Sequence, residues 1–143
     1  MVTYGVEKHE ESFTKDESFV TMACPICHRP IVFEYYNNDG MGKFHCTHCE
    51  AESGTADYIG ENPDFTSKKF YMENTEFTMP YNIPYMLYNY AAAVAVCREF
   101  GNISMDNIAK AFKSFKNVGG RYEVLQFEGK TIKYLRIKQE NPE

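Results

Sequence analysis

The chain has 143 residues and a formal net charge of -5, a length that suits one ordinary domain with at most a small appendage. Hydrophobic residues make up 43%, aromatic residues 15% and charged residues 24%, enough apolar surface for a packed core, which excludes wholesale disorder. No apolar stretch is long enough to cross a bilayer, and the first residues lack a basic run followed by an apolar one. The expectation is therefore a cytoplasmic protein without membrane span or secretory signal.

Charge is unevenly spread. Residues 1–83 hold 6 Lys and Arg against 14 Asp and Glu, whereas residues 84–143 hold 9 against 6. The acidic first part repels phosphate backbones. The mildly basic remainder either faces a nucleotide or balances its neighbour.

In chain order, Val2 to Val6 reads as a short strand, and Glu7 to Ser18 as a polar surface connection. Cys24, Cys27, Cys46 and Cys49 then form two C-x2-C pairs separated by 18 residues, the spacing of a tetrathiolate zinc site. Each pair presents two sulfurs on one side of a tight knuckle, so two knuckles complete a tetrahedron and leave no open position for catalysis. Two disulfides are the alternative. A reducing compartment, with Cys97 left unpaired, favours metal. His28, His45 and His48 lie close in sequence and each offers a substitute ligand. His28 occupies the post-knuckle position where glycine often sits, so a positive φ and some strain are expected there.

Between the knuckles, Ile31 to Tyr36 is β-rich, Asn37 to Gly42 is dense in turn formers, and Lys43 to His45 leads back to the second pair. That is the pattern of a zinc ribbon. Its Gly40-Met41-Gly42-Lys43 run lacks the spacing of a phosphate loop and reads as a hairpin turn. Residues 20–53 carry Arg29 and Lys43 against Glu34, Asp39, Glu50 and Glu52, so the ribbon has no electrostatic footprint for nucleic acid, and no nucleic-acid partner is expected. Tyr35, Tyr36 and Phe44 are better suited to core packing than to base stacking.

After the ribbon, Gly54 to Ser67 looks like loop, and Lys68 to Met72 and Thr75 to Met79 form a hairpin turning at Glu73-Asn74. Tyr85 to Phe100 is an Ala-rich helix stopped at Gly101, apolar nearly all round and so expected between two layers. Cys97 on it reads as a small buried hydrophobe. Ser104 caps a second helix with Ile108, Phe112 and Phe115 on one face, and Gly119-Gly120 ends the region. Tyr122 to Phe127 and Thr131 to Ile137 make a final hairpin around Glu128-Gly129-Lys130.

The run YNIPYMLYNYAAAVAVCREFGNISMDNIAKAFKSFKNVGGRYEVL resembles the end of the central ATP-binding domain of the Mur ligase family. There an Asn-containing segment opens an Ala-rich helix, a second helix follows, and a Gly-Arg-x-Glu element leads into the C-terminal domain. The resemblance spans about residues 75–143, and the four-cysteine ribbon upstream narrows it to the amidating, ligase-like subunits of the family. It implies an α/β fold, α+β over this length: part of a central domain with a zinc-ribbon insertion, two helices and a C-terminal hairpin. The corresponding boundaries are 1–19 for strand and connection, 20–53 for the ribbon, 54–120 for the rest of the central domain and 121–143 for the start of the C-terminal domain.

By that resemblance, the parent protein spends ATP, with Mg2+, to phosphorylate the carboxylate of D-glutamate in the lipid II stem peptide. Ammonia then displaces phosphate to give D-isoglutamine in peptidoglycan, a step of cell-wall biosynthesis. A GatD-like glutaminase is the implied partner subunit, lipid II or a muropeptide the substrate, and Zn2+ a structural ion. Asn89 matches the second Asn of the family's N-x-x-N-A-x-x-A-like pattern, near the nucleotide base, whereas the first falls on Met86; a backbone-satisfied Asn is the plainer alternative. Arg121 matches the Arg near the ribose and phosphates, for which a planar guanidinium fork is suited; a solvated surface Arg is the alternative. Neither phosphate loop nor Mg2+ carboxylates can be placed, so the chain reads as a fragment, inactive alone, with no catalytic residue assigned. A freestanding zinc-ribbon module that docks a protein partner is the competing expectation.

Overall fold

The computed structural model describes residues 1–14, 22–38, 40–115 and 122–135. Three sheets and two helices make up this part of the chain. The central sheet has the order β1-β5-β6-β7, from β1 (Tyr4–Val6), β5 (Tyr58–Asp64), β6 (Lys69–Met72) and β7 (Thr75–Thr78). β1 and β5 run parallel, with Gly5 opposite Ile59, and the remaining pairs are antiparallel. β6 and β7 form the expected hairpin: Glu73 and Asn74 both take positive φ, 47° and 61°, the turn geometry that matches the twist of the strands it joins.

β5 occupies a segment that the sequence reading assigned to loop. Its hydrogen bonds come from a strand 54 residues earlier, through Tyr58 N–H to Thr3 C=O and Glu7 N–H to Gly60 C=O at 3.1 Å each. Pro63, an apparent strand breaker, sits where the β5–β6 register shifts between Glu61 and Asp64. Asn62 beside it has φ +47°. A bulge tolerates the missing N–H that a regular ladder would not.

Helices α1 (Met86–Glu99) and α2 (Met105–Ser114) lie over the same face of this sheet. α1 contributes Leu87, Tyr90, Ala91, Val94 and Ala95 to the core, and α2 contributes Met105 and Ile108. They close over Phe70, Met72 and Phe77, which are fully buried. Phe70 stacks on Phe77 at 5.2 Å and on Tyr90 at 5.8 Å, and Phe112 meets all three rings edge-on.

The expectation that α1 would be sandwiched between layers is corrected. One face meets the sheet, while Asn89, Ala93 and Val96 on the other are exposed. Short alanines blur the contrast between the two faces, so all-round apolarity did not report a second layer. Cys97 is half-buried against the core. At the helix end the positive φ belongs to Asn102, while a Cβ on Gly101 would lie 2.7 Å from the Cys97 carbonyl oxygen. Glycine is needed there for close approach. Ser104 precedes α2 as expected, with its carbonyl accepting from Asn107 and Ile108 N–H and no side-chain cap bond.

The second sheet has the order β2-β3-β4, from β2 (Phe13–Thr14), β3 (Ile31–Asn38) and β4 (Met41–Cys46). The ribbon strands are longer than expected, and β2 was missed because two residues give no periodicity. Its pairing is set by Phe13, which stacks on Tyr36 at 4.8 Å. β8 (Tyr122–Phe127) and β9 (Lys130–Leu135) form the separate final hairpin, with Val124, Leu125, Phe127 and Ile132 exposed. Gly119-Gly120, Arg121 and residues 136–143 lie outside the described residues.

Candidate metal centre and the cleft beside the ribbon

The two knuckles are built by backbone bonds. Cys24 N–H donates to Arg29 C=O at 2.7 Å and His28 N–H to Cys24 C=O at 2.9 Å; in the second knuckle Cys46 N–H donates to Ala51 C=O at 2.7 Å. His28 has φ +59°, the left-handed conformation expected after the first knuckle. The open end of the ribbon hairpin brings the knuckles together, since Ile31 pairs with Cys46.

The result is a compact cluster of sulfurs. Cys24 Sγ lies 3.6 Å from Cys49 Sγ, and Cys27 Sγ lies 3.6 Å from Cys46 Sγ. All four sulfurs fall within 4.8 Å of one another, and no disulfide joins them. Four sulfurs about 2.3 Å from a tetrahedral Zn2+ stand about 3.8 Å apart, so the arrangement fits such an ion with little movement. His28, His45 and His48 are exposed, and the metal-competent group among the described residues consists of the cysteines alone.

The surroundings favour thiolate. Ile26 N–H points at Cys24 Sγ and His48 N–H at Cys46 Sγ, at 3.4 Å each. The His48 and Cys49 backbone donors bring the Cys46 thiol down to about 6, and backbone donation likewise lowers Cys24. Cys49 receives the Ala51 N–H, yet burial and the neighbouring thiols push it up to about 12. Four like groups this close do not all ionise without a cation between them.

At its other end the ribbon is tied to the central sheet. Asn37 is 6% exposed; its Nδ2 donates to Val6 C=O at 3.1 Å, Glu7 C=O at 3.0 Å and the Tyr88 hydroxyl at 3.3 Å. Its Oδ1 accepts from the Ser12 hydroxyl. Tyr35 OH donates to Val6 C=O at 3.4 Å. Between this tie and the hairpin tip lies a cleft of about 630 Å³, lined by Tyr4, Val6, Met41, Lys43, Ala56 and Tyr88 among others. None of these residues was assigned a function from sequence; Asn37, second to last in β3, read there as a turn former.

The two residues assigned to a nucleotide are not brought together within the described residues. Asn89 is exposed on α1, with its Nδ2 3.3 Å from Met86 Sδ, and Arg121 lies outside the described residues. Among the described residues, no helix is long and apolar enough to cross a membrane.

A mixed sheet with two helices on one face and a four-cysteine hairpin tied to its edge is a Mur-ligase-like fold. The chain superposes with a TM-score of 0.68 on a solved pseudomurein peptide ligase type C from Methanothermus fervidus, at 24% identity, covering 87% of this chain and 25% of that one. In sequence it is 26% identical over 131 residues to the MurT subunit of lipid II isoglutaminyl synthase (glutamine-hydrolyzing) from Staphylococcus aureus strains COL and N315. That alignment takes in 91% of this chain and 30% of the relative; the chain thus spans less than a third of the length of the curated relatives it matches. No protein-family profile matches it. The resemblance read from residues 75–143 and the ribbon therefore extends over nearly the whole chain.

Proposed function

We propose that these residues form the zinc-ribbon-bearing part of an ATP-dependent Mur-type ligase that amidates D-glutamate of lipid II. The observation that carries the reading is the 26% identity to MurT over 91% of the chain, together with a four-sulfur cluster of zinc dimensions. Cys24, Cys27, Cys46 and Cys49 hold Zn2+ in a closed structural site. Four thiolates leave no coordination position for substrate, so the ion's contribution is to the fold of the ribbon.

ATP supplies the phosphoryl group that turns a carboxylate, a poor electrophile, into an acyl phosphate with a competent leaving group. Within this chain the residues assigned toward the nucleotide are Asn89 at the base and Arg121 at the ribose and phosphates. Asn89 stands on the exposed face of α1, free to meet a ligand bound between this helix and another part of the enzyme. The cytoplasm, a GatD-like glutaminase as ammonia source, and lipid II as substrate belong to the same proposal. The freestanding-module reading is the weaker one, because the ribbon is fastened to the central sheet through Asn37 and Tyr35.

The test uses the polypeptide that carries these residues, supplied with ATP, Mg2+, ammonium and lipid II, with product read by mass and phosphate release. Conversion of one carboxyl to a carboxamide, with one phosphate per amide, is expected. Addition of an amino acid in place of ammonia would overturn amidation and keep the ligase; phosphate release without any new amide would overturn both.

A further inference from the structure

The four cysteines of the ribbon are close enough to react with one another as well as to coordinate. Both sulfur contacts at 3.6 Å cross from one knuckle to the other, Cys24 to Cys49 and Cys27 to Cys46. A disulfide holds its sulfurs about 2.05 Å apart, so each crossing pair has about 1.5 Å to close. The pairs nest along the chain, the inner spanning 19 residues and the outer 25, in the same sense as the β3–β4 ladder, which brings Ile31 opposite Cys46. Each joins a buried cysteine to one partly open to solvent: Cys24 and Cys46 are buried, Cys49 and Cys27 are not fully so.

Nesting favours the crossing pairs over the alternatives. A crossing disulfide restrains the unfolded chain over a long loop, whereas Cys24–Cys27 or Cys46–Cys49 closes only the short loop inside one knuckle. It also keeps the two knuckles in contact, as four thiolates around one ion do; pairs confined to single knuckles leave nothing covalent between them. The remaining pairing, Cys24–Cys46 with Cys27–Cys49, interleaves its loops and uses neither of the 3.6 Å contacts. Cys97 stands apart, packed against the core beneath α1.

We propose that the ribbon is a site of reversible oxidation, at which a peroxide converts the four thiolates to the disulfides Cys24–Cys49 and Cys27–Cys46 and so releases Zn2+ while the knuckles stay joined. The Cys27 thiolate, on the open side, attacks one peroxide oxygen; an S–O bond forms, the O–O bond breaks, and hydroxide leaves and takes up a proton. The Cys46 thiolate then attacks the Cys27 sulfur; the S–S bond forms, the S–O bond breaks, and a second hydroxide leaves and is protonated. Two thiolates thus lose two electrons to one peroxide, with two protons consumed and two waters formed. The same sequence at Cys49 and Cys24 uses a second peroxide. The thiolate is the form that binds metal, so no ligand is left for the ion. A dithiol reductant reverses both bonds and restores the site. The oxidation rests on the zinc reading of the cluster and is independent of the ligase chemistry.

The test uses the polypeptide that carries these residues, zinc-loaded and freed of reductant, with hydrogen peroxide added in steps. Zinc is counted by elemental analysis beforehand and by a chromogenic chelator during the titration; disulfides are mapped by mass after digestion without reduction. Release of one Zn2+ for two peroxides consumed is expected, with the crossing pairs as the main products, Cys97 still a thiol, and zinc binding recovered on reduction. The Cys46 amide, bonded to Ala51 C=O at 2.7 Å, is expected to exchange several-fold more slowly in the oxidised ribbon than in the chelated, reduced one. Cys97→Ser is expected to leave the release unchanged. Within-knuckle disulfides as the main product overturn the proposal, as do sulfinic acids that reduction does not reverse. Zinc that is bound at the outset and not released overturns the oxidation alone. A chain that holds no zinc before peroxide is added overturns the zinc reading and the release with it.

Discussion

Replacing Asn37 by alanine tests whether the ribbon is part of the domain or an attachment to it. The side chain makes three donor contacts between 3.0 and 3.3 Å and accepts from Ser12. Not all of these count fully. Val6 C=O keeps the longer Tyr35 contact, and Glu7 is only partly buried, so its carbonyl can take up water. What remains is the loss of about two hydrogen bonds in a buried setting at about 1 kcal/mol each, plus part of the desolvation cost of the groups left behind, about 2–3 kcal/mol in all. Such a change lowers the folded-to-unfolded ratio by roughly thirty- to a hundred-and-sixtyfold. The assay is urea unfolding of the zinc-loaded protein, followed by far-UV circular dichroism for the helices and by exchange at Phe33 and Tyr36 for the ribbon. Both probes are expected to shift together. A loss under about 0.5 kcal/mol, or a ribbon that loosens while the helices keep their stability, would refute the idea that Asn37 joins the two.

Phe70→Ala removes a fully buried ring stacked on Phe77 and Tyr90 and is expected to cost about 3–5 kcal/mol by thermal melting, without loss of zinc. Chelation, or Cys46→Ser, is expected to release one Zn2+ per chain by elemental analysis and to expose the amides of the two knuckles, while α1 and α2 keep their far-UV signal. Burial pushes the Tyr88 hydroxyl from 10.0 up to about 12, with the Asn37 amide pulling the other way. Its contribution is therefore whole below pH 10 and lost as pH rises toward about 12, because the unfolded chain gives up this proton first. A tyrosinate absorbance titration is expected to show late-ionising groups, Tyr88 and the likewise buried Tyr90 among them, that return toward the ordinary range when the protein is unfolded in urea. Gly42→Ala would place a Cβ 2.1 Å from the Tyr35 carbonyl oxygen, so the hairpin tip is expected to loosen, measurable as faster exchange in β4 with the four thiols still binding zinc.

The four-cysteine cluster was legible because its chemistry is local: two cysteines at one spacing define a knuckle wherever the chain later places it. The β6–β7 hairpin and both helices were legible for the same reason, each being written in a short window of alternation, turn residues or helix formers. β5 was not, because nothing in Tyr58 to Asp64 shows that Thr3 to Glu7 will run beside it, and Pro63 argues against a strand until the bulge around it is known. The function of Asn37 was hidden by a similar device. β3 shifts register between Phe33 and Tyr35 and again between Tyr36 and Asn38. Phe33 and Tyr36 consequently share the aromatic side with Phe13 and Phe44, and Tyr35 and Asn37 both reach Val6. A strict period of two puts Phe33, Tyr35 and Asn37 on one face and gives none of this.

The bulges give the ribbon two fastenings at opposite ends. Near Ile31 and Cys46 the hairpin is closed by four sulfurs, and near Asn37 it is closed by the carbonyls of β1 and the Tyr88 hydroxyl on α1. With Asn37 six residues along the strand from Ile31, the fastenings stand about 20 Å apart, too far for a thiolate to touch the sheet or for Asn37 to hold the ion. Each therefore restrains a different part of the hairpin, and the stretch between them, Gly42 to Phe44 opposite Tyr36 to Phe33, lines the cleft. A hairpin secured only by metal would swing on its knuckles and leave that wall undefined. One secured only by Asn37 would fray at the cysteines. Both fastenings together fix the distance from ribbon to β1, and with it the width of the cleft between them.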